Sequence, residues 1–253
     1  MSAAPQAIDL PVHNDEPTSR IVFTQGGKGG VGKTAFATML VEWYAAHQTP
    51  HALIDMDTEN KSRGSLIHFF PQARKSDIQQ PRGLDEFVNV LDEGKPIVIA
   101  DMGAGAGGVA HRWFDSMSDQ ARQNGVVFTA IGLVTPDPAS VFSILSWAEF
   151  LQHRVDYLIV RNAISNPANF GYWESDPQAE QFRQLFHPQI IEMEYRLPEI
   201  ENEARSHGVT LRAVADRQTN VPGLSRTASV WRAQAYRRNL FAEFNRVKDL
   251  LLP

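Results

Sequence analysis

The strongest chemical signal in the sequence is a glycine-rich run that contains two lysines and ends in a threonine. Residues 27–34 read GKGGVGKT, which fits the pattern G-x-x-x-x-G-K-[ST]. An apolar run at residues 21–24 precedes it, and apolar residues spaced three and four apart follow it. Glycines between a strand and a helix let successive backbone N–H groups point at one anion, and the helix N-terminus adds a positive dipole end. The run therefore predicts a phosphate-binding loop.

Two side chains at the end of this run match the chemistry of a nucleoside triphosphate and its magnesium ion. Lys33 would neutralise the β- and γ-phosphates and stabilise charge in catalysis, and the Thr34 hydroxyl would bind Mg²⁺. We therefore predict that ATP and Mg²⁺ bind here, although a glycine-rich turn can also have a structural role alone. The predicted nucleotide contacts of the loop are Gly27, Lys28, Gly29, Gly30, Val31, Gly32, Lys33 and Thr34.

Three carboxylates follow apolar runs, at places where a parallel sheet binds its ligands. Asp55 and Asp57 come after the run 52–54, and Asp101 ends the run 97–100. Ligands of open α/β sheets bind at the carboxyl ends of the strands, and carboxylates there can hold Mg²⁺ and water. Asp101 is therefore predicted to hold the metal through water, and the other two acids to serve the metal and a water molecule. The alternatives are that Asp55 and Asp57 are turn or cap residues and that Asp101 only ends a strand.

The residues after Asp101 match a second phosphate-binding pattern. Residues 103–108 read GAGAGG, which fits the dinucleotide fingerprint G-x-G-x-x-G. A dinucleotide site also needs an acid at the end of the next strand to bind the ribose, whereas the run 126–134 ends in Thr135 and Pro136. The match gives weak support to nicotinamide or flavin binding.

Six apolar runs are predicted to be the strands that position these groups. They are residues 21–24, 52–54, 97–100, 126–134, 155–160 and 190–193. Continuous apolar strands that alternate with helical spacing are typical of a parallel sheet covered on both faces. The chain is therefore predicted to form one α/β domain over 20–253, which ends in a helix over about 225–251. Residues 1–19 hold three prolines and no apolar period, which predicts a flexible leader.

Composition excludes several classes of protein. The 253 residues contain no cysteine, which excludes disulfides, thiolate zinc sites, cysteine nucleophiles and cysteine-held iron–sulfur clusters. No stretch approaches the roughly 18 uninterrupted apolar residues of a membrane span, and the start of the chain is unlike a signal peptide. We therefore expect a cytoplasmic protein without a membrane anchor. The net charge of −5 argues against a wholly basic surface but not against a local basic patch.

With its second lysine, the loop resembles the deviant Walker A motif of the ParA/MinD family of ATPases, whose form KGGVGKT stands at residues 28–34. The resemblance follows the order of motifs over about residues 20–251. It implies a P-loop NTPase fold with three layers and a doubly wound, mostly parallel sheet. It also implies an ATP-dependent homodimer in which Lys28 crosses the interface and acts catalytically on the partner's phosphates, as an arginine finger does. The alternative is that Lys28 is a solvated loop lysine.

The same resemblance implies roles for residues farther along the chain. Asp57 would polarise the attacking water and Asp55 would lie close to the metal. Asn162 would read the adenine edge and Pro198 would lie against the base, unless both are plain turn residues. One stretch departs from the family, whose members often continue the Walker B acid as D-x-P-P. Here Asp101 is followed by Met-Gly-Ala-Gly, which leaves the rate of hydrolysis and its coupling open.

For function, the resemblance implies a slowly hydrolysing ATPase that positions a cargo, such as a plasmid or a large assembly, with a small partner protein. Residues 25–33 and 101–104 also resemble the TraL/StbB group of plasmid-borne ParA relatives. One rival reading is a nucleotide-gated interaction module with little hydrolysis. Another is an ATP-dependent synthetase, which would not need Lys28.

The predicted C-terminal helix is locally basic within an acidic protein. Members of the ParA/MinD family often bind DNA non-specifically near the C-terminus, and neutralised phosphates would supply salt-dependent affinity, including on the nucleoid. The alternative is that these arginines only form the solvated face of the helix. The candidate DNA contacts are Arg232, Arg237, Arg238 and Arg246.

Overall fold

The core of the protein is one sheet of seven parallel strands, seen in a computed structural model that describes residues 17–25, 27–57, 64–103 and 107–253. The strands stand in the order β3-β2-β4-β1-β5-β6-β7. Every neighbouring pair is parallel, so all carboxyl ends meet at one edge. The strands are β1 Ser19–Thr24, β2 His51–Met56, β3 Arg74–Lys75, β4 Ile97–Met102, β5 Val126–Val134, β6 Asp156–Asn162 and β7 Gln189–Met193.

Helices cover both faces of this sheet. They are α1 Lys33–Ala46, α2 Leu66–Phe69, α3 Pro81–Asn89, α4 Gly107–Gln123, α5 Pro138–Leu151, α6 Gly171–Ser175, α7 Pro177–Phe186, α8 Pro198–His207, α9 Leu211–Ala215 and α10 Thr227–Arg246. Short 3₁₀ turns lie at Val90–Glu93, Gln152–Arg154 and Lys248–Leu250.

Two separate apolar layers result from the alternation of side chains along each strand. In β1, Ile21 and Phe23 pack into one layer, with residues of α3, α4, α5 and α7. Val22 points to the opposite layer, where α1 and α10 pack. Because the strands are buried on both faces, their sequences read as continuous apolar runs. The predicted three-layer, doubly wound α/β fold is confirmed, and the sheet is parallel throughout the described residues.

All six predicted strands are present, with ends that differ by a few residues. The seventh strand, β3, consists of the exposed residues Arg74 and Lys75 and gave no apolar pattern to find. Residues 1–16 of the predicted leader lie outside the described residues. Its last residue, Ser19, already belongs to β1 and donates its amide to the Gly125 carbonyl. The strand therefore starts two residues earlier than predicted.

The C-terminal residues are tied to the core rather than left apart from it. The Arg20 guanidinium donates to the Leu252 carbonyl at 2.6 Å and the Tyr44 hydroxyl donates to the Leu251 carbonyl at 2.5 Å. Leu251 is fully buried. None of the described helices is both long enough and apolar enough to cross a bilayer.

Candidate nucleotide-binding site

The glycine-rich loop joins β1 to α1 at the carboxyl edge of the sheet, as its sequence predicted. Gly32 caps α1 in the left-handed region, with φ of 97°. A Cβ atom on Gly32 would lie 2.5 Å from Nδ2 of Asn162, so both the backbone angle and the available space require glycine. Asn162 ends β6 and donates to the Val31 carbonyl at 2.8 Å. The hydrogen bond from Asn162 thus holds the loop against the sheet at the N-terminus of α1.

The two lysines of the loop have different surroundings. Lys33 donates from Nζ to the Lys28 carbonyl at 2.9 Å, so its ammonium group lies inside the curve of the loop. Lys28 reaches outward, with 42% of its side chain exposed, and pairs with Asp137 at 3.1 Å. The Asp137 carboxylate also caps α5, and the hydrogen bond from the Ala139 amide, with that from Lys28, lowers its pKa. Lys28 is therefore an exposed cation at the rim of the site.

A carboxylate and two hydroxyls form the buried floor beneath the loop. Asp101, at the end of β4, accepts hydrogen bonds from Thr34 at 2.6 Å and from Thr24 at 3.0 Å. Burial raises the pKa of Asp101 to about 6, against the lowering effect of these two hydrogen bonds; the charge of Asp55 raises it and that of Lys33 lowers it. Mg²⁺ prefers a few protein oxygens together with water and phosphate oxygens. The Thr34 and Asp101 oxygens, adjacent to the phosphate loop, fit that ion.

Asp55 lies in register with Asp101 on the neighbouring strand, but its oxygens are already engaged. Its side chain is fully buried and accepts from the Asp57 amide at 3.1 Å and from the Ile67 amide at 2.8 Å. Lys75 donates to the same carboxylate at 2.9 Å. Asp55 thus lies beside Asp101 in the sheet, while its hydrogen bonds go to the chain around it. Its place near the metal stays a prediction.

Asp57 faces a large cavity that starts at the glycine-rich loop. The cavity has a volume of about 950 Å³, which is within the range of ligand pockets. Lys33, Thr34 and Asp57 are among the residues that line it. A Cβ atom on Gly103 would lie 3.0 Å from Cα of Asp57, so the glycine-rich stretch after Asp101 starts directly against this acid. Residues 58–63, which follow Asp57, and residues 104–106 of the dinucleotide pattern lie outside the described residues.

The far wall of the cavity is formed by the segment after β7 together with α8 and α10. Arg196 lies over the Tyr236 ring at 5.1 Å and pairs with Glu201 at 3.0 Å. Pro198 is the first residue of α8 rather than part of a loop, and its neighbour Leu197 lines the cavity. Asn162 sits behind the loop, with its amide nitrogen bonded to Val31 as described above. Base contacts by Asn162 and Pro198 stay predictions.

The structure divides the four basic residues predicted for DNA. Arg237 pairs with the buried Glu42 at 2.6 Å, and only 17% of its side chain is exposed. Arg246 donates to the Ile190 carbonyl and to Glu243. Arg232 lines the nucleotide cavity, and Arg238 is exposed on α10. The alternative that all four arginines only form the solvated face of the helix does not hold for Arg237, because α10 also packs on α1 and β7 and brings Arg237 to Glu42. DNA binding stays a prediction.

Comparison with known proteins agrees with the geometry of this site. The profile of the CobQ/CobB/MinD/ParA nucleotide binding domain, CbiA, matches residues 22–230. The chain belongs to this family. Because the match spans the loop, both acid-bearing strands and the first turn of α10, the nucleotide-binding domain makes up most of the chain. No curated protein sequence matches the chain.

Solved structures agree with the CbiA assignment at the level of the fold. A ParA family ATPase from Chlorobium tepidum TLS has a TM-score of 0.51 at 12% identity, over 86% of this chain and 98% of that one. MinD from Aquifex aeolicus has a TM-score of 0.50 at 15% identity, over 89% of this chain and 97% of that one. The MinC:MinD complex of the same organism gives 0.50 at 13% identity, with the same coverage. At such identities the likeness shows the fold alone.

Two contacts of this site have no counterpart in the sequence motifs. Lys75 reaches from β3 to Asp55 and to the Asp57 carbonyl, although β3 has only two residues. Ser143 of α5 accepts from the Lys28 amide at 3.3 Å. Neither residue has a recognisable spacing from its partner, since the contact depends on which strand or helix lies next to the loop.

Proposed function

We propose that this CbiA-family chain is a dimerisation switch that binds ATP and hydrolyses it slowly. The observation that carries the proposal is that the two lysines of one phosphate loop have different positions. Lys33 lies inside the loop, while Lys28 stands exposed at the rim on a surface salt bridge. Exposed salt bridges contribute only about 0–1 kcal/mol, so Lys28 is able to leave Asp137 for a stronger anion. A phosphate of a nucleotide bound by a second copy is such an anion.

Each step of the proposed cycle is assigned to residues of the site. The loop amides and Lys33 would bind the phosphates, and Thr34 and Asp101 would hold Mg²⁺, which would neutralise phosphate charge. Asp57, which lines the same cavity, accepts a hydrogen bond from the attacking water and orients it. The water oxygen then forms a bond to the γ-phosphorus as the bond to the β-bridging oxygen breaks, which yields ADP and phosphate. Loss of the γ-phosphate removes the anion that Lys28 bridges, so the dimer opens.

The output we propose is the positioning of a cargo in the cytoplasm with a small partner protein. Two features support a plasmid or another large assembly as cargo. They are the likeness in fold to ParA and MinD structures and the glycine-rich sequence at residues 25–33, which resembles that of plasmid-borne ParA relatives. Non-specific DNA binding rests on fewer side chains than the sequence suggested. Arg238 and Arg232 are exposed candidates, whereas Arg237 and Arg246 already have acidic partners within the chain.

The mass of the protein in solution tests the switch directly. With Mg²⁺ and ATP we expect a dimer, and with ADP a monomer. Asp57→Ala should remain dimeric with ATP because its hydrolysis is strongly slowed, and Lys28→Ala should bind ATP without hydrolysis. Lys95→Ala is the matched control, since Lys95 is 40% exposed, pairs with an acid at 3.2 Å and precedes β4 at the opposite edge of the sheet. If the mass in solution is the same with ATP and with ADP, the proposed switch is refuted.

The rival readings give different outcomes in the same samples. An interaction module would dimerise with ATP but show no turnover, with or without DNA, and the glycine-rich continuation after Asp101 favours this reading. A synthetase would keep its activity in Lys28→Ala.

A further inference from the structure

The side chain of Lys75 reaches from β3 into the nucleotide site, although phosphate binding and metal binding are assigned to other residues. Asp55 and Lys75 are register partners on the parallel pair β2 and β3. Lys75 donates from Nζ to the Asp55 carboxylate at 2.9 Å and to the backbone carbonyl of Asp57 at 2.5 Å. One ammonium group therefore contacts both acids, one through its side chain and the other through its backbone.

The Asp55 carboxylate extends this contact to the chain on both sides of residues 58–63. Oδ1 accepts from the Asp57 amide at 3.1 Å, and Oδ2 accepts from the Ile67 amide in the first turn of α2 at 2.8 Å. Asp55 is fully buried, so its negative charge needs a cation close by. Among the described residues, Lys75 is the one that forms an ion pair with it. Lys75 thus stabilises the charge on which both backbone contacts depend.

These contacts fix the backbone of Asp57 at both its amide and its carbonyl. Gly103 closes the other side, since even a Cβ atom there would lie 3.1 Å from Oδ1 of Asp57. We propose that Lys75 is a positioning residue, which acts through Asp55 to hold the Asp57 carboxylate at the γ-phosphate end of the cavity. The proposal rests on the proposed function, in which Asp57 orients the attacking water. It assigns Asp55 to the support of Asp57 rather than to direct metal binding.

Single-turnover hydrolysis and nucleotide affinity separate positioning from binding. Lys75→Ala should leave the Kd for Mg-ATP within about twofold, because the loop and Asp101 are untouched. Its hydrolysis rate should fall ~10- to 100-fold, the range in which a misplacement of about 1 Å acts. Lys75→Arg should recover part of the rate, because a guanidinium can still pair with Asp55. Arg74→Ala is the control on the same strand, since Arg74 pairs with the surface acids Glu86 and Glu93.

A double-mutant cycle asks whether Lys75 acts through Asp57. Lys75→Ala in an Asp57→Ala background should slow hydrolysis no further, because the group that it positions is already gone. Additive effects, or an equal loss of affinity and rate, would overturn the proposal. The double variant Asp55→Asn/Lys75→Met removes both charges together. It provides a folded protein if Lys75→Ala alone does not fold because the buried Asp55 charge has lost its cation. The double variant should show the same loss of hydrolysis rate as Lys75→Ala.

Hydrogen exchange gives a readout that does not depend on hydrolysis. The Asp57 and Ile67 amides should exchange faster in Lys75→Ala than in the wild type, while amides of β5 stay unchanged. If the wild type hydrolyses no ATP, the proposed function fails and exchange alone decides the proposal about Lys75. Unchanged exchange at both amides would overturn it, and faster exchange would support it.

Discussion

Replacing Arg237 by alanine should destabilise the protein strongly at pH 7 and weakly at pH 5. Arg237 pairs with Glu42 at 2.6 Å, and the Glu42 side chain is 2% exposed. Burial raises the pKa of Glu42, while the hydrogen bond from the Arg212 amide and the charge of Arg237 lower it. Without the guanidinium, the buried carboxylate loses its cation, a change that typically costs ~3–5 kcal/mol. The same residue was a DNA candidate, so this test also separates folding from DNA binding.

The pH dependence follows from protonation of Glu42. In the Arg237→Ala variant this carboxyl can take up a proton instead of staying buried as an unpaired charge. From the ordinary value of 4.5, protonation costs about 3 kcal/mol at pH 7 and below about 1 kcal/mol at pH 5. Because the folded-state pKa is raised above the unfolded one, the deficit is present at high pH and disappears as pH falls towards 4.5. The loss of stability should therefore shrink by up to about 2.7 kcal/mol between pH 7 and pH 5.

Urea unfolding at both pH values measures this deficit. Arg238→Ala is the matched control, since it removes an exposed arginine from the same helix and should change stability by less than about 0.5 kcal/mol. Glu42→Gln in the Arg237→Ala background should restore part of the stability at pH 7. Equal effects of the two arginine variants, or a deficit that does not change with pH, would refute the reasoning. DNA binding is then compared only where both variants are folded.

Three further outcomes are expected at the site and in the fold. Gly32→Ala should abolish nucleotide binding in equilibrium titrations, because its Cβ would collide with Asn162 at 2.5 Å and because φ is 97°; retained binding would contradict the geometry. Affinity for Mg-ATP should fall as pH drops through about 6, where Asp101 takes up a proton, and Asp101→Asn should lack this component while sharing the titration of ATP itself. Arg20→Ala should lower the free energy of unfolding, measured by urea unfolding, by ~3 kcal/mol, since it removes a buried guanidinium bonded to the Leu252 carbonyl. A change below about 0.5 kcal/mol would contradict a stabilising role for this hydrogen bond.

The sequence determined the fold class and the phosphate end of the site. Strands buried on both faces must be continuous apolar runs, so all six longer strands could be predicted from residue types alone. The phosphate loop could be predicted as well, because its function depends on backbone amides, a glycine at positive φ and a lysine at fixed spacing. Asp57 and Asp101 followed from their places at strand ends, where a parallel sheet collects its ligand-binding groups.

Only the tertiary structure decided which side chains meet across the chain. Lys75 contacts Asp55 because a strand of two residues lies beside β2, and two exposed basic residues have no periodicity to reveal it. Arg237 looked like part of a solvated basic face, but α10 packs on α1 and brings it to the buried Glu42. Local patterns fix which residues are apolar and which backbone angles are allowed. The partner of a long polar side chain depends on strand order and helix packing, which the sequence does not state.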